Sequence, residues 1–160
     1  MKSLVILDKM NIVLIGKQGS GKGTQAKLIS GEYKIPHIST GDIFRETAKI
    51  NTKLGKQVRN LIDNGILVPD DITNKVIKER LKKEDAKKGF ILDGYPRNLS
   101  QARFLDKLTK IDYVIEIAVS DKEAIKRVSS RRQCKECNTI YGATNQPKND
   151  NKCDNCGKVI

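Results

Sequence analysis

The sequence has few aromatic residues: it contains four Tyr, three Phe and no Trp among 160 residues. The hydrophobic core must therefore be built mainly from Ile, Leu and Val. Internal repeats and low-complexity tracts are also lacking. The length is that of one ordinary globular domain with room for a small appended lobe.

Long apolar runs are missing as well, and none approaches the length of a membrane span. The N-terminal stretch MKSLVILDK contains only LVIL as an apolar segment. That is too short for a secretory signal, and no small-residue cleavage site follows it. We therefore expect a soluble, cytoplasmic protein with no membrane partner. Met10 opens the stretch MNIVLIG, so residues 1–9 are either an added strand or an upstream start, and the sequence leaves both open.

Acidic residues are outnumbered, with 19 Asp and Glu against 31 Lys and Arg, which gives a formal net charge of +12. Such an excess favours anionic partners, but it does not choose between nucleotides, nucleic acid and a membrane surface. Histidine is nearly absent, since His37 is the only one. We interpret His37 as a turn residue and not as a general base.

A glycine-rich stretch, GKQGSGKG, follows the apolar run NIVLI and has the glycine, four-residue, glycine and lysine pattern of a P-loop. Glycines let successive backbone N–H groups turn towards one anion, and a following helix adds its positive N-terminal end. Lys22 can then reach the outer phosphates of a nucleotide. Gly23 stands where a Ser or Thr usually binds magnesium, which disfavours the arrangement common in GTPases and ATPases. A glycine-rich turn without a ligand is the alternative, but the strand before it and the helix after it favour a phosphate site.

Apolar runs typical of buried strands alternate with stretches of helical periodicity. Strands are predicted at 11–15, 90–94 and 112–119, with a brief extended piece at IPHIS. Helices are predicted at 22–31, 41–50, 52–65, 69–89, 99–108 and 120–132. This alternation predicts a parallel sheet of βαβ type. Beyond Arg132 the apolar periodicity is almost lost, so residues 133–160 are predicted to form a separate small lobe.

All four cysteines lie in that lobe, as the two C-x2-C pairs Cys134–Cys137 and Cys153–Cys156. Four thiolates at this spacing can enclose one tetrahedral zinc ion, and such a filled site would be structural. The spacing does not distinguish zinc from iron. Two disulfides are the alternative, which the expected cytoplasmic location disfavours. Because the lobe has little apolar material, metal binding would supply most of its folding free energy.

Further motifs, in order along the chain, resemble the nucleoside monophosphate kinases and most closely the adenylate kinase family. They are GKGTQA, HISTGDIFR, GILVPDDI and GFILDGYPRNLSQA, and RVSSRR before the cysteine lobe is similar to the start of that family's lid. The resemblance covers nearly everything from Met10 onward. It implies an α/β fold with a P-loop nucleoside-kinase type parallel sheet flanked by helices, a helical monophosphate-binding insertion and a small zinc-ribbon lid.

The resemblance also implies a division of the chain and a reaction. The core with the P-loop would be 1–38, the monophosphate-binding insertion 39–68, a second core segment 69–132, and the zinc-binding lid 133–160. The reaction would be reversible, Mg²⁺-dependent phosphoryl transfer from ATP to AMP, giving two ADP. The expected cofactors are ATP, Mg²⁺ and structural Zn²⁺, and the expected protein is a monomer with nucleotide partners and no nucleic acid.

Site residues follow from the same resemblance, position by position. The residues expected to bind ATP are Gly19, Ser20, Gly21, Lys22, Gly23, Thr24, Arg127, Arg131, Ile140 and Tyr141. The residues expected to bind AMP are Thr40, Arg45, Ile66, Leu67, Val68, Gly94, Tyr95, Pro96, Arg97 and Gln101. The residues expected to be catalytic are Lys22, Arg97, Arg131 and Asp93, with Asp93 orienting magnesium through water. None is a nucleophile, because phosphoryl transfer depends on positioning and charge neutralisation. Gln18 stands where the family usually has proline.

Three alternatives stay open. The chain ends at Ile160, whereas the lid and core of the family continue. The first alternative is therefore a nucleotide-binding protein that lacks the C-terminal portion and is non-catalytic. A kinase for another nucleoside monophosphate is the second alternative, decided by the base pocket around Thr40, Val68 and Gln101. The third, a zinc-ribbon module that binds nucleic acid, is disfavoured because the lobe offers only Tyr141 as an aromatic.

Overall fold

The computed structural model describes residues 9–137, 139–142, 145–149 and 151–160. Both alternatives for residues 1–9 therefore depend on a segment that lies, apart from Lys9, outside the described residues. The chain forms two compact units. The first contains the described residues up to Ile15 together with Lys22–Glu116, and the second contains Gly16–Gly21 and Ile117–Ile160. The predicted four-part division of the chain stays a prediction.

The first unit is built on a four-stranded sheet with the order β2-β3-β1-β4. The strands are β1 Met10–Ile15, β2 His37–Ser39, β3 Gly89–Asp93 and β4 Tyr113–Glu116. All three pairings are parallel, and Val13 of β1 lies opposite Leu92 of β3 and Val114 of β4. Helices connect the parallel strands, as such pairings require. The expected α/β fold with a parallel sheet is confirmed.

Six α-helices occur in the described part of the chain. They are α1 Lys22–Tyr33, α2 Thr40–Lys49, α3 Lys53–Asp63, α4 Asp70–Leu81, α5 Leu99–Leu108 and, in the second unit, α6 Asp121–Ser129. Four of them begin at a polar side chain that accepts from a backbone N–H of the first turn, which satisfies a donor that the helix leaves unpaired. These capping residues are Ser39, Thr52, Asn98 and Ser120.

Three predicted helix boundaries are wrong. The helix predicted at 120–132 ends at Ser129, and Arg132 begins a short strand. The helix predicted at 69–89 ends at Leu81, and Glu84–Lys88 form a separate 3-10 helix after an extended residue. Gly89 is the first residue of β3, with φ +115°, and a Cβ there would lie 2.4 Å from the carbonyl oxygen of Met10. The helix that was predicted to stop at Gly31 continues to Tyr33.

The sheet buries side chains on both faces, because alternate residues of a strand point to opposite sides. One cluster of buried residues consists of Val13, Ile38, Ile77, Ala86, Phe90, Leu92, Tyr95 and Leu105. The other consists of Ile12, Leu14, Ala26, Ile35 and Ile91. Aliphatic residues dominate both clusters, as the shortage of aromatic residues predicted. A third cluster, Phe44, Val58 and Ile72, joins α2, α3 and α4.

The outer strand β4 is exposed along its whole length. Tyr113 is 56% exposed and Val114 62% exposed, although the central strands are buried. Among the described residues, no helix combines the length and the apolar character that crossing a membrane would need.

The second unit contains α6 and the cysteine lobe. Two short antiparallel strands, β5 Arg132–Gln133 and β6 Ile140–Tyr141, bring the chain back on itself. The buried cluster of this unit consists of Cys134, Tyr141 and Cys153. A core this small fits the expectation that a bound metal supplies folding free energy to the lobe.

Candidate functional site

The glycine loop, Gly16–Gly21, leads from the end of β1 to the start of α1. Gly16, Gly19 and Gly21 all have positive φ, at +141°, +80° and +99°. A Cβ on Gly16 would lie 2.5 Å from the carbonyl oxygen of Ile117, and one on Gly19 would lie 2.9 Å from Cγ2 of Val128. Both the backbone conformation and the space therefore require glycine at these two positions. The loop consequently presents backbone at those points.

The side-chain hydroxyl of Ser20 is buried in this loop without a hydrogen-bond partner among the described residues. The residue is 4% exposed, and its Oγ has no hydrogen-bond partner among the described residues. A buried hydroxyl without a partner costs about 1–3 kcal/mol. The loop also runs directly into α1, whose first residue is Lys22, and a helix N-terminus attracts anions through its free N–H groups. The glycine loop therefore fits a phosphate group.

Charged side chains of α6 lie beside this loop within the second unit. Arg127 donates from Nε to Oε1 of Glu123 at 2.7 Å, and its guanidinium reaches to 3.5 Å from the carbonyl oxygen of Ser20. Lys17 pairs with Asp121 at 2.5 Å, but both side chains are more than half exposed, so this ion pair contributes little stability. Arg131 lies two residues beyond the end of α6 and is exposed. Of the two arginines that were predicted to bind ATP, Arg127 is the one that the structure places next to the glycine loop.

A group of polar residues meets at the carboxyl ends of β2 and β3. Oγ1 of Thr40, the first residue of α2, donates to the carbonyl oxygen of Gly94 at 3.0 Å. Nε of Arg97 donates to the same oxygen at 2.8 Å. A Cβ on Gly94 would lie 2.8 Å from Oγ1 of Thr40. The structure therefore brings three predicted residues of the monophosphate site together, at the sheet edge where α/β folds bind ligands.

Asp93, the last residue of β3, lies next to this group. Its Oδ2 is 3.3 Å from Nε2 of His37, and both side chains are largely buried. His37 is the first residue of β2, so its interpretation as a turn residue was wrong. A Cβ on Gly23 would lie 3.4 Å from the same Oδ2, which places the start of α1 against this carboxylate. Oδ1 of Asp93 has no hydrogen bond to any described residue, and carboxylate oxygen is a ligand that suits magnesium or its bound water.

Gln101 belongs to a network that the sequence analysis did not foresee. It is 3% exposed. Its Nε2 donates to Oδ1 of Asp70 at 2.7 Å, and its Oε1 accepts from the backbone N–H of Arg97 at 2.8 Å. Asn98 donates from Nδ2 to both oxygens of Asp70. The Asn-x-x-Gln spacing at the start of α5 resembles a capping box and could have suggested part of this network.

Tyr95 and Pro96 were predicted to contact the monophosphate, and they are joined by a cis peptide bond. Tyr95 is 1% exposed and donates to Oδ1 of Asn74 at 2.6 Å. Burial, together with the nearby charge of Asp70, raises the pKa of Tyr95 to about 12. The Tyr95 side chain is thus held inside the first unit.

The remaining predicted residues of the monophosphate site lie at the surface or close to it. Arg45 pairs with Asp42 at 2.5 Å, and both are nearly half exposed. Ile66 and Leu67 are 56% and 73% exposed. Val68 packs against the third core cluster. Among the described contacts, none of these residues hydrogen-bonds to the group around Gly94, and their nucleotide roles stay predictions.

The four cysteines form one compact cluster. Their Sγ atoms all lie within 4.8 Å of one another, and no disulfide joins them. The Sγ–Sγ distances are 3.5 Å for Cys134 and Cys156 and 3.4 Å for Cys137 and Cys153. Four thiolates bound tetrahedrally at the usual zinc–sulfur distance would lie about 3.8 Å apart. The cluster therefore fits a tetrahedral metal site better than two disulfides.

Hydrogen bonds to two of the cysteine sulfurs, those of Cys137 and Cys153, favour the thiolate, the form that binds metal. The side chains of Thr139 and then Asn155 lower the pKa of Cys137 to about 5. The Tyr141 hydroxyl lowers the pKa of Cys153. Tyr141 is 2% exposed, so its ring is buried among the cysteines, whereas Ile140 is 43% exposed. The predicted contact of both residues with ATP stays a prediction.

Comparison with known proteins gives consistent matches. A family model described as adenylate kinase matches residues 14–159. A protein named adenylate kinase from Caldanaerobacter subterraneus subsp. tengcongensis is 51% identical over 157 residues, which is 94% of this chain and 71% of that protein. One from Thermosipho africanus is 50% identical over 94% of this chain and 73% of its own length. One from Archaeoglobus fulgidus is 48% identical over 92% of this chain and 71% of its own length.

Proposed function

This chain belongs to the adenylate kinase family, and from that premise we propose that it catalyses reversible, Mg²⁺-dependent phosphoryl transfer from ATP to AMP, giving two ADP. The observation that carries the proposal is the glycine loop. Its backbone conformation requires glycine, its buried Ser20 hydroxyl has no partner among the described residues, and α1 begins directly after it. Those features suit the phosphates of a nucleoside triphosphate.

The triphosphate side would consist of the loop and the cations that follow it. Gly19 to Thr24 would hold the phosphates, and Lys22 at the start of α1 would neutralise charge on the transferred group. Arg127 of α6 and Arg131, just beyond the end of that helix, would add positive charge for the same nucleotide. This distribution of charge suits phosphoryl transfer, in which the protein mainly positions the reactants and stabilises developing negative charge.

The acceptor side would be the group at the carboxyl ends of β2 and β3. Thr40, Gly94 and Arg97 are already linked there by hydrogen bonds, so little reorganisation would be needed before a monophosphate binds. Arg45 would bind the phosphate, and Gln101 would contact the base. The segment 66–68 would cover the base with backbone and apolar groups.

Two metal ions belong to this proposal. Asp93 would hold Mg²⁺ through water, and the metal would supply charge neutralisation for the phosphates. Cys134, Cys137, Cys153 and Cys156 would hold a structural zinc ion. A site with four protein ligands leaves no position open for substrate or water, so zinc would stabilise the lobe without taking part in the chemistry.

Separate binding titrations with ATP and with AMP test the proposed assignment of the two sites. Lys22→Ala should weaken ATP binding about ten- to hundredfold, because hydrogen bonds to charged groups contribute about 1.5–3 kcal/mol. The same variant should leave AMP binding nearly unchanged, whereas Arg97→Ala should weaken AMP binding. Lys27→Ala is the matched control, since Lys27 is an exposed lysine of the same helix. Equal ATP affinities for Lys22→Ala and Lys27→Ala would contradict the phosphate role of the loop.

A further inference from the structure

We propose that Asp70 determines base specificity in the monophosphate site, because it holds the side-chain amide of Gln101 in the single orientation that reads adenine and rejects a 6-oxopurine. This inference rests on the proposed function, in which Gln101 contacts the acceptor base. The sequence motifs gave no role to Asp70, so this role is new.

The orientation of the Gln101 amide is fixed by two partners of opposite character. Nε2 lies 2.7 Å from Oδ1 of Asp70, and Oε1 lies 2.8 Å from the backbone nitrogen of Arg97. A carboxylate can only accept hydrogen bonds and a backbone N–H can only donate them. If the amide turned over, its oxygen would face a carboxylate and its NH₂ group would face an N–H. Both contacts would then be repulsive, so the observed orientation is strongly preferred.

Asp70 is itself held in place. Nδ2 of Asn98 donates to Oδ1 and Oδ2 of Asp70 at 3.1 and 3.0 Å, and Oδ1 of Asn98 accepts from the backbone N–H of Gln101 at 2.9 Å. Asp70 is also the first residue of α4, where the helix dipole stabilises a negative charge. The carboxylate is therefore a fixed acceptor at a fixed position.

The Gln101 amide keeps unused hydrogen-bonding capacity although the residue is 3% exposed. A carboxamide has two N–H donors and an oxygen with two lone pairs. Asp70 takes one donor and Arg97 takes one lone pair. No other described residue takes the second donor or the second lone pair. A buried amide with one donor and one acceptor still available is suited to a ligand with the complementary pair.

Adenine carries that complementary pair on adjacent atoms. Its 6-amino group donates and its N1 accepts, so the first can meet Oε1 of Gln101 and the second can meet Nε2. Hypoxanthine and guanine present the reverse, an accepting O6 and a donating N1–H. Because Asp70 and Arg97 prevent the amide from turning over, a 6-oxopurine would place donor against donor and acceptor against acceptor. A site built on such hydrogen bonds discriminates by at least about a hundredfold.

The test compares the affinities of the chain for AMP and for inosine monophosphate. Inosine monophosphate differs from AMP only at the 6-position and in the proton on N1. Because it also lacks the 2-amino group of guanine, the comparison reports on those two positions alone. In Asp70→Asn the new amide can present either oxygen or nitrogen to Gln101, so one of the two contacts that oppose the turned orientation is removed and only the backbone N–H of Arg97 still opposes it. We expect the ratio of AMP affinity to inosine monophosphate affinity to fall at least tenfold. Asp71→Asn is the matched control, because it removes the same charge from the same helix turn at an exposed position, and it should leave the ratio unchanged.

A measurement without ligand tests the arrangement independently. The side-chain amide resonances of Gln101 in ¹⁵N-labelled protein should shift in Asp70→Asn and stay in place in Asp71→Asn. If Asp70→Asn weakens both nucleotides equally, Asp70 is only structural and the inference is overturned. Equal binding of the two nucleotides by the unaltered chain would overturn it while leaving the kinase proposal intact. Binding of ATP without binding of AMP would instead refute the acceptor assignment, and the specificity role with it.

Discussion

The hydroxyl of Tyr141 lies 3.5 Å from Sγ of Cys153 and accepts a hydrogen bond from the backbone N–H of Asp154 at 2.7 Å. Because Asp154 occupies a lone pair of the hydroxyl, the hydroxyl proton is free to point towards the sulfur. A metal-bound thiolate is a charged acceptor, and hydrogen bonds of this kind orient metal ligands. Tyr141 is therefore placed to support the cysteine cluster from outside it.

Tyr141→Phe should weaken zinc binding about tenfold without removing a ligand, since substitutions around metal ligands typically cost ten- to hundredfold in affinity. The measurement is competition for zinc with a chromophoric chelator. Tyr113→Phe, which changes an exposed tyrosine of β4, is the control and should bind zinc as the unaltered chain does. Zinc affinity that is the same in both variants would show that the Tyr141 hydroxyl does not act on the site.

Asp42→Asn should strengthen AMP binding about two- to fivefold. Arg45 is paired with Asp42 in the free protein, so a phosphate must compete with that carboxylate for the guanidinium. An exposed ion pair contributes at most about 1 kcal/mol, which limits the size of the effect. Calorimetric titration with AMP measures it, and Glu46→Gln, on the exposed surface of the same helix, is the control. Weaker binding in Asp42→Asn would mean that the pair positions Arg45 for the phosphate.

Gly55→Ala should destabilise the first unit by about 3 kcal/mol, at the upper end of the usual cost of overpacking. A Cβ on Gly55 would lie 2.1 Å from the carbonyl oxygen of Ile50 and 2.7 Å from that of Thr47, so the junction of α2 and α3 must move. Gly31→Ala is the opposite case, because nothing lies within 4 Å of a Cβ in that exposed position of α1. That control should raise stability by about 0.5–1 kcal/mol. Denaturant unfolding measures both variants, and a neutral Gly55→Ala would contradict the close packing of α2 on α3.

Much of the fold could be predicted because the buried strands are short runs of apolar residues bounded by glycine or by charged residues. β1 and β3 were predicted to within one residue at each end. The error at 69–89 has a tertiary cause, since the residues around the break favour a helix locally. Ala86 is 2% exposed in the core and Gly89 lies in β3 beside Met10, and these placements override local preference. The helix predicted to stop at Gly31 continues two residues further and ends before Lys34, which has the positive φ of +55° that usually favours glycine.

The parts of the candidate site that are formed by residues close together in the sequence could be predicted. Glycine spacing identifies the loop because the backbone conformation requires glycine, and cysteine spacing identifies the cysteine cluster because four ligands must meet at one point. The partners of the side chains were not predictable in this way. Asp70 and Gln101 are 31 positions apart, and only the packing of α4 against α5 brings them together.

The central claim is tested most directly by measuring ADP formation from ATP and AMP with Mg²⁺ and Zn²⁺ present. The account predicts turnover that falls at least about a hundredfold in Lys22→Ala and is unchanged in Lys27→Ala. Full turnover in Lys22→Ala would contradict it, and so would a chain that binds both nucleotides yet forms no ADP.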